Sequence, residues 1–162
     1  MNRFPRRIFP AIALGLAALL VAGCGSKARR VSPPAASIQQ LTVERDGRWT
    51  VDLRLHNYSS ISMRFERVSL AVSVDEHEAG TLQASPAISI GPSAADTVRA
   101  TLRPQPMARL AVADALAGRR TLSYRLEGEV SATPDEANKP RTFEVKSGST
   151  LNPTPGLEGV LR

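Results

Sequence analysis

Cysteine is almost absent from this sequence: Cys24 is the only one in 162 residues. A single thiol has no partner within the chain, so a fold held together by internal disulfides is excluded. Aromatic residues make up only 4% of the chain. A core must therefore be built mainly from valine, leucine and isoleucine, which is sufficient for a domain of this size.

Sequence patterns typical of enzymes are also missing. There is no phosphate-binding loop, dinucleotide fingerprint or nucleophile elbow. Only two histidines occur, His56 and His77. A metal site with Asp75 or Glu76 would form if the fold brought both histidines together, but a solvated turn and a polar strand residue are the simpler interpretation. We expect no catalytic residue, no metal and no other cofactor.

The longest apolar run lies near the N-terminus and leads to the single cysteine. Arg3, Arg6 and Arg7 precede the apolar residues 8–21. A positive segment followed by such a run is typical of a secretory signal peptide. The run is short for a membrane-spanning helix, which needs about 20 apolar residues, and Pro10 weakens it further. An uncleaved anchor is the alternative interpretation.

The end of this run resembles the lipobox of a bacterial lipoprotein. Val21, Ala22 and Gly23 lead directly into Cys24. The resemblance implies cleavage before Cys24 and attachment of lipid to its thiol; a free or intermolecular thiol is the alternative. Gly25 and not aspartate follows the cysteine. By the sorting rules of enteric bacteria, this implies the outer membrane, with the protein facing the periplasm.

The charge pattern does not indicate a nucleic acid partner. The formal net charge is +6, and removal of the three signal-peptide arginines leaves 18 basic and 15 acidic residues. Part of the excess lies beside the anchor, in Lys27, Arg29 and Arg30. An anionic bilayer would attract these residues, but a solvated tether is the simpler interpretation. Elsewhere the basic residues alternate with acidic ones, so no nucleic acid partner is expected. We expect the membrane as partner through Cys24, with an envelope protein as a second partner.

Alternation of apolar and polar residues dominates the chain from residue 37 onwards. It is clearest at Trp49, Val51, Leu53 and Leu55, which predict a half-buried antiparallel strand. Asp46-Gly47 before this strand predicts a hairpin turn. Further strands are predicted by the same criterion over residues 41–43, 68–74, 87–90, 97–103, 122–130 and 143–145.

One helix is predicted, over residues 107–117, because this stretch is rich in alanine and leucine and lacks internal glycine and proline. Gly118 is its predicted C-terminal stop. Trp49 and Tyr124 are compatible with an aromatic binding surface, but their alternating positions favour the core.

Together these patterns predict an all-β fold with one short helix. We expect a two-sheet antiparallel β-sandwich of about seven strands over residues 37–148. Residues 1–23 would be the signal peptide, and 24–36 the lipidated cysteine with a flexible tether. Residues 149–162 would be a flexible tail, because glycine and proline interrupt them.

The order of these features resembles the LEA-2 family, the late embryogenesis abundant group that includes the WHy domain. Residues 53–59 lead through a turn into the apolar strand 68–74, and Gly80 follows. Tyr58 and Ser59 stand where the usual turn has Pro-Asn. In the second half, the helical segment 107–117 precedes a strand that ends at Val130.

This resemblance implies an immunoglobulin- or fibronectin-III-like sandwich without a known catalytic centre, in a family associated with desiccation and stress tolerance. The first hypothesis is therefore a lipid-anchored, non-enzymatic module with a protective or binding role. The second is an assembly lipoprotein that docks onto an envelope complex through its sandwich. A hydrolase or metal enzyme is the third, and the residues disfavour it.

Lipid attachment can be tested at Cys24 itself. We expect Cys24→Ser to abolish incorporation of a palmitate label in bacterial cells, because the hydroxyl of serine cannot form the thioether. The intact protein should incorporate the label. Labelling of the variant at the level of the intact protein would contradict lipidation at this residue.

Overall fold

The computed structural model describes residues 29–162. The predicted signal peptide, the lipobox residues 21–23 and Cys24 lie outside the described residues. The described residues form nine strands and one helix: β1 (Ala35–Val43), β2 (Trp49–His56), β3 (Met63–Val74), β4 (His77–Ala84), β5 (Ile88–Ile90), β6 (Ala95–Leu102), α1 (Pro106–Gly118), β7 (Leu122–Pro134), β8 (Arg141–Leu151) and β9 (Val160–Leu161).

The strands form two antiparallel sheets that pack together as a sandwich. The smaller sheet has the order β6-β2-β1-β9, and the larger has the order β4-β3-β7-β8, with β5 also pairing with β3. The predicted all-β sandwich with one helix is therefore confirmed. The structure has nine strands where about seven were expected, since both the segment after residue 76 and the C-terminal segment contribute strands.

The core lies between the sheets and is aliphatic, as the composition predicts. Trp49, Val51, Leu53 and Leu55 of β2 are fully buried, while the residues between them are half-buried or exposed. In β3, Val68, Leu70, Val72 and Val74 are fully buried in the same way. Alternation places every second side chain on the inner face, so both predicted strands fold as expected.

Two contacts join the sheets across the core and its border. The hydroxyl of Tyr124 in β7 accepts a hydrogen bond of 3.1 Å from the backbone N–H of Ile38 in β1. A β-bulge between Ile38 and Gln40 interrupts the pairing of β1 with β2 at this point. Where β8 lies beside β1, the Ser147 hydroxyl donates to the carbonyl of Ala36 at 2.7 Å. Both Trp49 and Tyr124 are core residues, as their alternation predicted.

The helix crosses from β6 in the smaller sheet to β7 in the larger one. It buries Ala108, Ala111, Val112 and Ala115. Its predicted end is wrong by one residue, because Gly118 is still helical and Arg119 takes the left-handed conformation, at φ 50° and ψ 36°. A left-handed residue is needed to end the helix here, and a non-glycine residue can adopt that conformation at a cost of about 1–2 kcal/mol.

The predicted flexible tail over residues 149–162 is wrong. Strand β8 continues to Leu151, and the last residues form β9, in which Val160 and Leu161 pair with Thr42 and Leu41 of β1. Leu161 is fully buried. The glycines and prolines between these strands form the turns of a closed loop, while the apolar residues at both ends of the segment enter the core.

The described end of the predicted tether is also ordered against the domain. Strand β1 begins at Ala35, and the chain before it bonds to the loop that follows β2. The N–H of Arg30 donates to the Ser60 hydroxyl at 2.7 Å, and the Arg30 carbonyl accepts from the Ser60 N–H at 2.9 Å. The Ser32 N–H donates to the Ser59 hydroxyl at 3.0 Å. Backbone groups of this segment thus gain partners that a free tether would lack.

The registers of the two sheets give the sandwich two distinct ends. Ala35 pairs with His56 at one end of β1, and Val43 pairs with Trp49 at the other. The tether end comprises residues 29–34 and the loops 57–62, 91–94 and 135–140. The helix end comprises α1, the turns 44–48 and 75–76, and the loop 152–159.

Strand β9 can be tested by truncating its buried side chain. Leu161→Ala should lower the free energy of unfolding by about 2–5 kcal/mol, because it leaves a cavity in the core. Leu157→Ala is a matched control, since Leu157 is 49% exposed in the neighbouring loop, and a surface substitution changes this quantity by about 0.5 kcal/mol or less. Urea unfolding of both variants measures the effect. Equal losses would contradict a structural role for β9.

Candidate functional site

The structure separates the two histidines on which a metal site would depend. His56 ends β2 in the smaller sheet, at the tether end, whereas His77 begins β4 in the larger sheet, at the helix end. Within residues 29–162, no group of three or more histidine, cysteine, aspartate or glutamate residues is arranged to hold a metal ion. The hypothesis of a metal site shared by the two histidines is therefore wrong.

A cluster of charges at the helix end has a structural role. The Arg120 guanidinium bonds to Asp75 at 2.8 Å and to Asp114 at 2.9 Å, and thereby ties the end of α1 to the turn between β3 and β4. Asp75 also accepts bonds of 2.9 Å from the N–H and the hydroxyl of Ser123. These bonds occupy both carboxylate oxygens of Asp75.

Burial acts to raise the pKa of Asp75, but the hydrogen bonds from Arg120 and Ser123 outweigh it, and the pKa lies below its ordinary value of 3.8. A lowered carboxyl pKa stabilises the fold above that ordinary value. This contribution is lost as the pH falls below 3.8 and through the lower pKa of the folded state. Asp75 is therefore ionised at neutral pH, where its bonds to Arg120 and Ser123 stabilise the junction of α1 with the sheet.

The loop after β2 is organised by the buried side chain of Asn57. Its amide nitrogen lies 2.8 Å from the carbonyl oxygen of Ile61 and 3.0 Å from those of Ile90 and Gly91. Its side-chain oxygen accepts a bond of 2.9 Å from the N–H of Ser59. One side chain thus connects the loop after β2 with the end of β5 and the residue that follows it, and its own polar atoms are satisfied although it is buried.

Full burial also removes Asn57 from consideration as a modification site. The Asn57-Tyr58-Ser59 sequence matches a glycosylation sequon, but the asparagine has no exposed surface and every polar atom of its side chain is bonded. Sequence reasoning placed a turn here through the family resemblance, yet it did not identify Asn57 as the residue that holds it. An asparagine directly after an alternating apolar strand is the signal that marks such a turn.

Beside this buried amide, Tyr58 extends to the surface. Its ring is 49% exposed. It stacks on the ring of His56, with the centroids 4.0 Å apart and the planes inclined by 23°. The two rings form an aromatic platform at the tether end, close to the point where Arg30 joins the same loop.

Among residues 29–162, the other large exposed apolar side chains lie at the helix end. Met107 and Leu110 of α1 are 55% and 61% exposed, and Leu157 lies on the loop before β9. An open groove of about 730 Å³ runs between the C-terminal part of α1, at Leu116 and Arg119, and that loop. These residues were not identified from the sequence, because an exposed leucine on a helix has no distinctive local pattern.

Within the part of the chain that the structure describes, no helix is long and apolar enough to cross a membrane. The predicted lipid attachment at Cys24 and the lipobox residues 21–23 lie outside that part, so they stay predictions.

The role of Asn57 gives a direct test. Asn57→Ala should lower the free energy of unfolding by about 2–3 kcal/mol, because buried backbone carbonyls lose their donor. Asn138→Ala is the control, since Asn138 is exposed in the loop before β8, and its free energy of unfolding should stay within about 0.5 kcal/mol of the parent value. Denaturant titration measures both, and indistinguishable stabilities would contradict the proposed organising role.

Three solved structures illustrate what the chain is similar to. A protein from Archaeoglobus fulgidus has 11% identity and a TM-score of 0.40, over 75% of this chain and 97% of that chain. A protein from Arabidopsis thaliana has 14% identity and a TM-score of 0.46, over 80% and 84%. A protein assigned to the late embryogenesis abundant (LEA) group has 16% identity and a TM-score of 0.46, over 90% and 82%.

Comparison with curated protein sequences finds no match. The sequence pattern of a protein family does match, and it covers residues 52–146, from the middle of β2 to the second half of β8. This region is more than half of the chain, and it includes the turn at Asn57 and the helix. The chain belongs to the LEA_2 family, described as late embryogenesis abundant protein.

Proposed function

We propose that this protein is a lipid-anchored, non-enzymatic module of the bacterial cell envelope that protects or binds other macromolecules. Lipid on Cys24 would hold it in a membrane, facing the periplasm, and the outer membrane is favoured by Gly25 after the cysteine. The family match over residues 52–146, behind a signal-like sequence that ends on the chain's single cysteine, carries the proposal.

Membership of the LEA_2 family supports a role without catalysis, because the family is generally non-enzymatic. The chemistry of the described residues is consistent with this. Asp75 and Asp114 are paired with Arg120, and Asp52 is paired with Arg99 at 2.8 Å. In these ion pairs the charged groups bind one another and thereby hold neighbouring parts of the fold together.

A second candidate function is the assembly of an envelope complex, with the sandwich as the docking domain. The observation that favours it is the helix end, where Met107, Leu110 and Leu157 expose apolar surface. Met107 and Leu110 adjoin on one face of α1, three residues apart, and adjoining apolar side chains on a protein surface are typical of contact sites for other proteins. In this case the lipid anchor would hold one end of the domain while the other end meets the partner.

The protective role can be tested with a drying-sensitive enzyme. The purified protein, added at stoichiometric amounts before drying, should preserve more of the enzyme's activity after rehydration than an inert protein of equal mass does. The reason is that a folded module acting by surface contact needs no excess over its client. Recovery no better than with the inert protein would contradict protection.

The variant Met107→Ser/Leu110→Ser separates the two candidates in the same protein. If protection does not depend on the helix end, the dried enzyme recovers as much activity with this variant as with the parent protein. In the assembly case, affinity capture from solubilised envelope recovers one stoichiometric partner with the parent protein and loses it with the variant.

A further inference from the structure

We infer that the tether end of the domain rests on the lipid headgroups of the membrane that holds the anchor, with the exposed ring of Tyr58 in the interfacial layer. The inference rests on the proposed lipid attachment and adds to it an orientation and a specific contact surface. The tether end places Tyr58, basic residues and the entry of the chain on one side of the sandwich.

The length of the chain outside the structure sets how far this end can be from the bilayer. The backbone of Arg30 is fixed by two hydrogen bonds: its N–H donates to the Ser60 hydroxyl at 2.7 Å, and its carbonyl accepts from the Ser60 N–H at 2.9 Å. Cys24 precedes it by six residues, and a fully extended chain of that length spans at most about 22 Å. Ser60 is two residues from Tyr58, so lipid on Cys24 would hold the aromatic platform close to the membrane surface.

The local structure presents Tyr58 to such a surface. Asn57 fixes the backbone of the loop from within, while the Tyr58 ring stays 49% exposed and is supported on one face by His56. Tyrosine is enriched at membrane–water interfaces, because its ring is apolar and its hydroxyl is hydrated. A ring held outward by a rigid turn meets the headgroup layer without the cost of ordering the loop.

The charges around Tyr58 are compatible with an anionic bilayer. The tether end is considered together with the two strand residues next to each end of its segments. This set contains five basic side chains, Arg29, Arg30, Arg64, Lys139 and Arg141, and three acidic ones, Asp96, Asp135 and Glu136. Arg29 is paired with Glu136. The other four cations form no ion pair within residues 29–162. Basic residues near a membrane surface are attracted to anionic headgroups.

Three other large apolar side chains that are exposed in the described part of the chain serve as an internal comparison. Met107, Leu110 and Leu157 lie at the helix end, which is separated from the tether end by the length of β2. Eight residues of strand span about 25 Å. With the tether end on the bilayer, the helix end therefore points away from the membrane.

Fluorescence quenching in vesicles tests this orientation. The lipidated full chain is reconstituted into phosphatidylglycerol–phosphatidylethanolamine vesicles that contain a headgroup-region spin-labelled lipid. The matched variants are Tyr58→Trp and Leu110→Trp. The only native tryptophan, Trp49, is fully buried at the helix end and supplies a constant background. The added emission should fall by about twofold or more for Tyr58→Trp and stay unchanged for Leu110→Trp, since only the first indole enters the interface.

Equal quenching in both variants, or quenching of Leu110→Trp alone, overturns the inference. Hydrogen exchange of the unaltered protein is a second measurement that avoids substitution. Amides of 57–61 should exchange more slowly in vesicles than in detergent, while those of 107–110 should not change; the reverse pattern also overturns the inference. Failure of the proposed function is distinct, because a chain without lipid on Cys24 neither incorporates palmitate nor stays with the vesicles.

Discussion

The need to bury aliphatic side chains between two sheets determines most of this structure. With few aromatic residues, the core depends on many valines and leucines that alternate along β2, β3 and β7. Each strand must keep one register, since a shift by one residue would expose its apolar side. Polar contacts such as those of Asn57 and Tyr124 then act at the places where the ladders stop or are interrupted by bulges.

Alternation explains why much of the fold could be predicted from the sequence. At β2 and in residues 68–74 the inner and outer faces can be read directly from the sequence, because apolar and polar residues that alternate over this length indicate a half-buried strand. The C-terminal segment could not be read in this way. Its apolar residues lie in two short groups around Pro153, Pro155 and Gly156, and only the open edge of β1 decides that they pair.

The candidate site also combines features that the sequence predicts with features that only the fold determines. The absence of a shared metal site follows from the topology, which puts His56 and His77 in different sheets, and spacing along the chain does not reveal that. The burial of Asn57 depends on carbonyls of Ile61 and Ile90, residues in separate elements that only the fold brings together. Cys24 is the opposite case, because its interpretation depends wholly on a local sequence pattern.

The pairing of β9 with β1 means that the first strand of the domain is completed by the last residues of the chain. The paired residues lie far apart in the sequence, and contacts between such distant parts of a chain form late in folding. The smaller sheet therefore keeps an open edge at β1 until β9 has paired with it. A copy that lacks β9 is left with this unsealed edge, which a chaperone or protease can recognise.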